Sequence, residues 1–288
     1  MRAAPAREVA FEILEAVMAS MSAVELAPWV DRIKARRSLV KQEIAPREVK
    51  LLMAASQVLS APRRLRKALM GVKQNHNDMQ LPWIPAFAGL ESRAFHDTNR
   101  FPWARALEQS VDEIRNELHQ VQRDFGRAAY DSDRNVKTWK TFYFYLNGRP
   151  VKQHLDACPK TKALLSRIPI NGLHVCFSAI QPGGVLQPHT GPMNASLTAH
   201  LGLEGCEGSA IWVAGEKRPY VEGKVLVFDD SYVHWVEHTG SQVRYTLMVT
   251  FWHPDLNFLE RALLAKVLDR APDDVFDHKP NPLDRPQG

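Results

Sequence analysis

No stretch of this 288-residue chain stays apolar for the roughly 20 residues that a membrane-crossing helix needs. Its first helical pattern is interrupted by Glu8, Glu12 and Glu15, which speaks against the apolar core of a secretory signal. Cysteine is scarce. Cys158, Cys176 and Cys206 form an odd set without metal-ligand spacing, so a disulfide framework is not expected and a reducing, cytoplasmic setting is. All three read as free thiols that fill space. Internal repeats are absent as well.

What is present is enough apolar residue, 45%, to bury one substantial core, or one core plus a small appendage. The formal charge of +5 is unevenly placed: residues 1–80 carry 14 Lys and Arg against 8 Asp and Glu, and the remainder 23 against 24. The densest basic cluster, Arg63-Arg-Leu-Arg-Lys67, reads as a solvated helix face, with an acidic partner as the alternative. No nucleic-acid motif and no stacking aromatics accompany it, so nucleic acid is not an expected partner.

Apolar positions recur at three- and four-residue intervals over 6–20, and Pro46 with Glu48 opens a second helix to about Leu59. A polar, then Pro- and Gly-rich stretch over 71–89 follows. The expected organisation is a basic helical module over 1–80, a main unit over 81–270 and a Pro- and Asp-rich tail over 271–288. In the main unit Pro102 opens a helix to about Arg123, with Leu107, Val111, Ile114 and Leu118 on one stripe. Strands are expected at Trp139–Leu146, Leu173–Ile180, Ser196–Leu203, Ser209–Val213, Lys224–Phe228 and Val243–Trp252, with a closing helix over Leu256–Leu268. Short strands punctuated by Asn-Gly and Gly-Gly turns indicate a mainly β jelly roll with flanking helices.

Chemistry concentrates at strand edges. His189 lies in Gln187-Pro-His-Thr-Gly-Pro-Met-Asn194 and His234 in Phe228-Asp-Asp-Ser-Tyr-Val-His-Trp235. Two neutral imidazoles on a rigid β scaffold can hold a divalent transition metal. Ten residues after the second histidine, Arg244 falls in a run with the composition of a buried strand, and a buried arginine needs an anion.

His-x-Gly, a second histidine about forty-five residues on and an arginine ten residues later resemble the aspartyl/asparaginyl β-hydroxylase family of iron(II)- and 2-oxoglutarate-dependent oxygenases. The likeness extends through Pro182-Gly-Gly-Val-Leu-Gln-Pro-His189, Ala199-His-Leu-Gly-Leu203 and Trp252-His-Pro254, over about residues 82–260. It implies a double-stranded β-helix whose mouth holds iron(II) on His189 and His234, with Gly191 where other iron oxygenases place a carboxylate. Arg244 and Ser178 would bind the distal carboxylate of 2-oxoglutarate, and His200 would face its metal-proximal carboxylate. O2 is the oxidant. Asp229 and Asp230 would be turn scaffold, and neither His238 nor His253 is assigned to iron. His174 shares a strand face with Ser178 and could line the pocket.

Relatives of this type carry arginine at the places of Ser196 and Thr198, where it meets an acidic substrate group. Here both substrate-facing positions are uncharged. The expected activity is hydroxylation of an unactivated C–H bond, most simply the β-carbon of an aspartyl- or asparaginyl-like group. The substrate class remains open among a small molecule, a peptide and a carrier-tethered amino acid. Halogenation at the vacant ligand position and a non-catalytic binding module are the alternatives. Acyl-chain hydroxylation of a lipid is a further reading, which would call for an anchor or an apolar entry path.

Overall fold

The computed structural model describes residues 79–82, 87, 89–128, 138–258, 260–262 and 264–265. The expected helical module over 1–80 lies outside these residues except for Met79 and Gln80, and the tail over 271–288 lies outside them entirely. No helix among the described residues is long and apolar enough to cross a membrane.

In chain order the elements are β1 (Phe95–His96), α1 (Pro102–Gln109), α2 (Val111–Val121), β2 (Gly126–Arg127), β3 (Trp139–Leu146), β4 (Arg149–Pro150), α3 (Lys152–Ala157), α4 (Pro159–Leu165), β5 (Ile170–Ile180), β6 (Val185–His189), β7 (Ser196–Glu204), β8 (Ser209–Val213), β9 (Glu216–Pro219), β10 (Val225–Phe228), β11 (His234–His238) and β12 (Arg244–Trp252). One antiparallel sheet runs β1-β10-β7-β12-β5-β3-β2, with β4 paired to β3; the other runs β6-β11-β8-β9. From β5 onward the chain thus winds between two facing sheets, which is the topology of a double-stranded β-helix.

The large sheet is buried on both sides. Leu197, Ala199, Leu201 and Leu203 of β7, with Leu247, Val249 and Phe251 of β12, pack with Leu107, Ile114, Leu118 and Leu165 of the helices. The alternate residues Ser196, Thr198, His200 and Gly202 take the opposite face, toward the second sheet. With both faces covered, β7 is buried over nearly its whole length.

The single helix expected over Pro102–Arg123 is two, broken at Ser110, whose N–H donates back to the carbonyls of Ala106 and Leu107. The helix α4 is held by Glu117 of α2: its carboxylate accepts from the Lys160 and Thr161 amides at 2.7 and 2.8 Å, and from the Thr161 hydroxyl at 2.7 Å. That satisfies donors a helix start leaves over. The β3–β4 hairpin turns on Asn147 and Gly148, both at positive φ (53° and 78°), as a two-residue Asn-Gly connection requires. All three cysteines are buried and free.

One buried group links this packing to pH. His96 is 2% exposed, and neither ring nitrogen has a partner among the described residues; its ring meets that of His253 at 5.8 Å. Burial, then the nearby His253 and Arg93, lower its pKa to about 4. Between pH 6.5 and 4 only the unfolded chain takes up this proton. Stability is therefore fully present above that window and lost as pH falls through it, by about 3 kcal/mol. Urea denaturation at pH 7 and pH 4.5 should show this loss, and His96→Leu should shrink it; an equal loss in both proteins would contradict the assignment.

Candidate active site

Two imidazoles meet at one end of the space between the sheets. His189 ends β6, His234 begins β11, and the two are direct partners in the antiparallel register, with ring centres 4.1 Å apart. Both rings are oriented by the same local device. His189 Nδ1 lies 2.6 Å from the Gln187 carbonyl, and His234 Nδ1 lies 2.9 Å from the Tyr232 carbonyl. A carbonyl only accepts, so Nδ1 carries the proton in each ring and Nε2 keeps its lone pair for a metal. Desolvation lowers both pKa values; for His234 the neighbouring His189 adds to it. Buried His234 is thus held neutral, as a ligand must be, while His189 stands exposed at the mouth. Among the described residues no group of three His, Cys, Asp or Glu side chains is placed to hold a metal ion.

The space beside Gly191 is filled from elsewhere in the chain. A Cβ built on Gly191 would fall on the carboxyl group of Asp230. That carboxyl accepts from the Thr198 hydroxyl at 3.1 Å through Oδ2, while Oδ1 is buried without a partner among the described residues. Burial raises its pKa to about 7, against the Thr198 bond. Asp229 does serve the turn, accepting from the Ser231 amide at 2.9 Å and from Gln80 Nε2 at 2.9 Å. The expectation that both aspartates are turn scaffold is therefore corrected for Asp230, whose side chain reaches β7 and Gly191.

Arg244 opens β12 at the other end of the strands and is 1% exposed. Its Nη1 donates to the Thr246 hydroxyl at 2.8 Å, its Cζ lies 4.8 Å from the centre of the Tyr220 ring, and its Nε has no partner among the described residues. The register lines up Thr141, Ser178 and Thr246 side by side across β3, β5 and β12. The Ser178 hydroxyl accepts from Trp139 Nε1 at 2.9 Å, leaving its own proton to give; the Thr141 hydroxyl is buried and has no partner among the described residues. His200 Nδ1 lies 2.8 Å from the Tyr220 hydroxyl, and its Nε2 is buried and without a partner among the described residues. Burial and then Arg244 lower the His200 pKa to about 3. Each unsatisfied buried polar group costs about 1–3 kcal/mol. Several of them around one buried guanidinium mark a cradle for an anion with many acceptor oxygens.

Ser196 and Thr198 begin β7, on the face that carries His200, and both are engaged. Asn171 Nδ2 donates to the Ser196 hydroxyl at 2.6 Å, and Asn171 Oδ1 accepts from Thr250 at 2.8 Å. His174 joins this network through its backbone, its amide lying 2.9 Å from the Thr250 hydroxyl. His238 is held by the Gln242 carbonyl at 2.6 Å and His253 by that of Glu91 at 3.0 Å, so neither belongs with the imidazole pair. Sequence reasoning missed Tyr220, Trp139, Thr141 and Thr246. Only Thr246 had a local signal, lying two residues from Arg244 on the same strand face.

The fold defines a double-stranded β-helix protein with an imidazole pair at the mouth. Comparison with known proteins supplies the family. The model of the aspartyl/asparaginyl beta-hydroxylase family matches residues 108–254, more than half of the chain, and the chain belongs to that family. It is 36% identical over 180 residues to the ornithine lipid ester-linked acyl 2-hydroxylase of Rhizobium tropici, covering 58% of this chain and 63% of that protein. It is 32% identical over 206 residues to human aspartyl/asparaginyl beta-hydroxylase, covering 63% and 27%. Human aspartate beta-hydroxylase domain-containing protein 2 is 37% identical over 134 residues, covering 44% and 36%. The chain thus spans less than two thirds of the length of each of these relatives.

Proposed function

We propose that this chain is an iron(II)- and 2-oxoglutarate-dependent hydroxylase acting on an unactivated C–H bond. The observation that carries this is the set of unpartnered buried polar groups around Arg244, in the same inter-sheet space as two imidazoles whose Nε2 lone pairs are free. When bound, iron and 2-oxoglutarate supply the oxidising power of O2: one oxygen atom goes to the substrate carbon, the other to succinate, and carbon dioxide leaves. His189 and His234 would hold the metal. Arg244, with Ser178 and Thr246, would hold the distal carboxylate, since a planar guanidinium pairs with both its oxygens. His200 would donate to the carboxylate nearer the metal.

The substrate group that reaches β7 is read as uncharged. Arg244 is the one buried Lys or Arg among the described residues, and Ser196 and Thr198 are committed to neutral or acidic partners. An asparaginyl-like amide fits this wall better than an aspartyl carboxylate. An acyl chain, as the name of the Rhizobium relative indicates for that protein, is the second reading. It is favoured by the apolar cluster of Tyr143, Cys176 and Met248 on the same sheet. Halogenation is disfavoured, because a halide beside Gly191 would face the Asp230 carboxyl group.

Anaerobic titration of the metal-free protein with iron(II) and 2-oxoglutarate tests the reading. A weak visible charge-transfer band should form with both present and vanish in His189→Ala. No band in the unaltered protein would leave the fold intact and return the chain to the binding-module alternative.

A further inference from the structure

Tyr220 is a residue that neither the motifs nor the family likeness single out, yet it touches both polar groups at the closed end. It is 4% exposed, its ring lies under the Arg244 guanidinium at 4.8 Å, and its hydroxyl is 2.8 Å from His200 Nδ1. The His200 and Tyr220 rings are nearly parallel, 18° apart in plane with centres at 5.7 Å. Its place is built into the backbone. The Tyr220 amide donates to the Ser209 carbonyl at 2.9 Å, and the following chain presses on Gly202, where an added Cβ would fall on the Val221 carbonyl. Gly202 is two residues beyond His200 on the same strand face, so the missing side chain is what lets the 220–224 segment pass close enough for Tyr220 to reach the imidazole.

The hydrogen bond has a direction that proton accounting decides. The phenol is buried, with its pKa raised by desolvation, and so carries its proton. His200 Nδ1 is the one hydrogen-bond partner its hydroxyl has among the described residues. If the imidazole proton were on Nδ1, the phenol hydrogen would be left without an acceptor in a buried site, at the cost of a lost hydrogen bond. The arrangement that leaves neither group wasted has the phenol donating to Nδ1. The neutral ring then carries its proton on Nε2, the unpartnered nitrogen that shares the inter-sheet space with Arg244.

We propose that Tyr220 is a positioning residue for the cosubstrate: its hydroxyl sets the His200 tautomer so that Nε2–H is a preformed donor to a carboxylate oxygen, while its ring face supports Arg244. This rests on the oxygenase reading above. It also explains why a histidine serves beside an arginine, since the ring contributes a directed donor without adding a second buried charge.

Nitrogen-15 NMR of the full chain labelled at histidine, with His200 assigned by its loss in His200→Gln, should show the proton on Nε2. In Tyr220→Phe, which keeps the ring and its contact with Arg244, the proton should redistribute to Nδ1 and the anaerobic affinity for 2-oxoglutarate with iron(II) should fall about tenfold. The melting temperature should fall by a few degrees, the cost of leaving Nδ1 without its buried partner. Gly202→Ala, which pushes the 220–224 segment away, should reproduce the affinity loss. A Tyr220→Phe protein with an unchanged tautomer or unchanged 2-oxoglutarate affinity refutes the positioning role. Unaltered protein that shows the Nε2–H tautomer but binds no 2-oxoglutarate refutes the oxygenase reading instead.

Discussion

Arg244→Met is expected to weaken 2-oxoglutarate binding by roughly 100- to 1,000-fold, the scale on which losing one partner of a buried charge pair costs about 2–5 kcal/mol. The guanidinium is 1% exposed and, among the described residues, holds a single hydrogen bond, to Thr246. Its charge is therefore uncompensated until an anion arrives, and burial pulls its pKa below the free value. The same variant should leave the ligand-free protein as stable or more stable, since an apolar chain of similar length removes an unpaired charge from the interior. Arg244→Lys should not restore affinity, because an ammonium cannot span two carboxylate oxygens in a plane. Isothermal titration with 2-oxoglutarate and urea denaturation of the same preparations report both effects. A variant that loses stability and keeps affinity would mean that Arg244 is a structural residue.

Gly191→Asp is expected to abolish iron binding rather than improve it. On chemical grounds alone the substitution would complete a two-histidine, one-carboxylate face. Sterically it cannot, because the first side-chain atom at position 191 would land on the Asp230 carboxyl group. Two carboxyl groups in one buried space also repel when ionised. The backbone would have to move, and Gly191 is tied to it directly, its amide donating to the Asp230 carbonyl at 2.6 Å. The His189–His234 pairing just beside it would be disturbed. Removing the obstacle should reverse the effect: Gly191→Asp with Asp230→Ala should bind iron(II) at least tenfold tighter than Gly191→Asp alone. Equilibrium dialysis against iron(II) under argon measures both. Tight iron binding by the single variant would show that Asp230 can swing away and that its packing against Gly191 is not a constraint.

The two expectations bear on different ends of the same inter-sheet space. Strand alternation presents Thr246 and Ser178 beside Arg244, and Thr198 beside Asp230, all on one face, while the helices cover the other. The substrate wall and the anion cradle therefore cannot be changed independently by moving a strand. A one-residue slip of β7 would send His200 to the helices and Ala199 or Leu201 to the site.

How much of this was legible in the sequence differs by element. The strands β3 and β8 run over the residues expected, and β7, β10 and β12 differ from expectation by one residue at an end. Their β-branched and aromatic runs end at Gly and Asn turns that act within a few residues. The strand β5 begins at Ile170, three residues before the expected Leu173, because Asn171 and Gly172, the latter at φ 73°, form an irregularity within the strand, whose regular pairing with β12 resumes at Val175. The strands β6 and β11 were not expected as strands although they carry His189 and His234. Gln187 and Pro188 in one, and Glu237 and His238 in the other, break the apolar pattern, and only the pairing of the two strands makes them a sheet. Ser110 has no strong breaker character, so the division of the first long helix was invisible.

By itself the sequence determined which residue types were available: two histidines, a glycine where a carboxylate could have been, and an arginine in an apolar strand. It also placed most strands, because local turn chemistry and β-branched runs act over a few residues. Tertiary structure alone decided what those residues meet. Asp230 against Gly191, Tyr220 between His200 and Arg244, and the hydroxyl row of Thr141, Ser178 and Thr246 join positions twenty to more than a hundred residues apart. Such contacts depend on register and on the close approach that Gly202 permits. No local window records them, since the free energy that holds them comes from packing two sheets together and not from the preferences of the segments concerned.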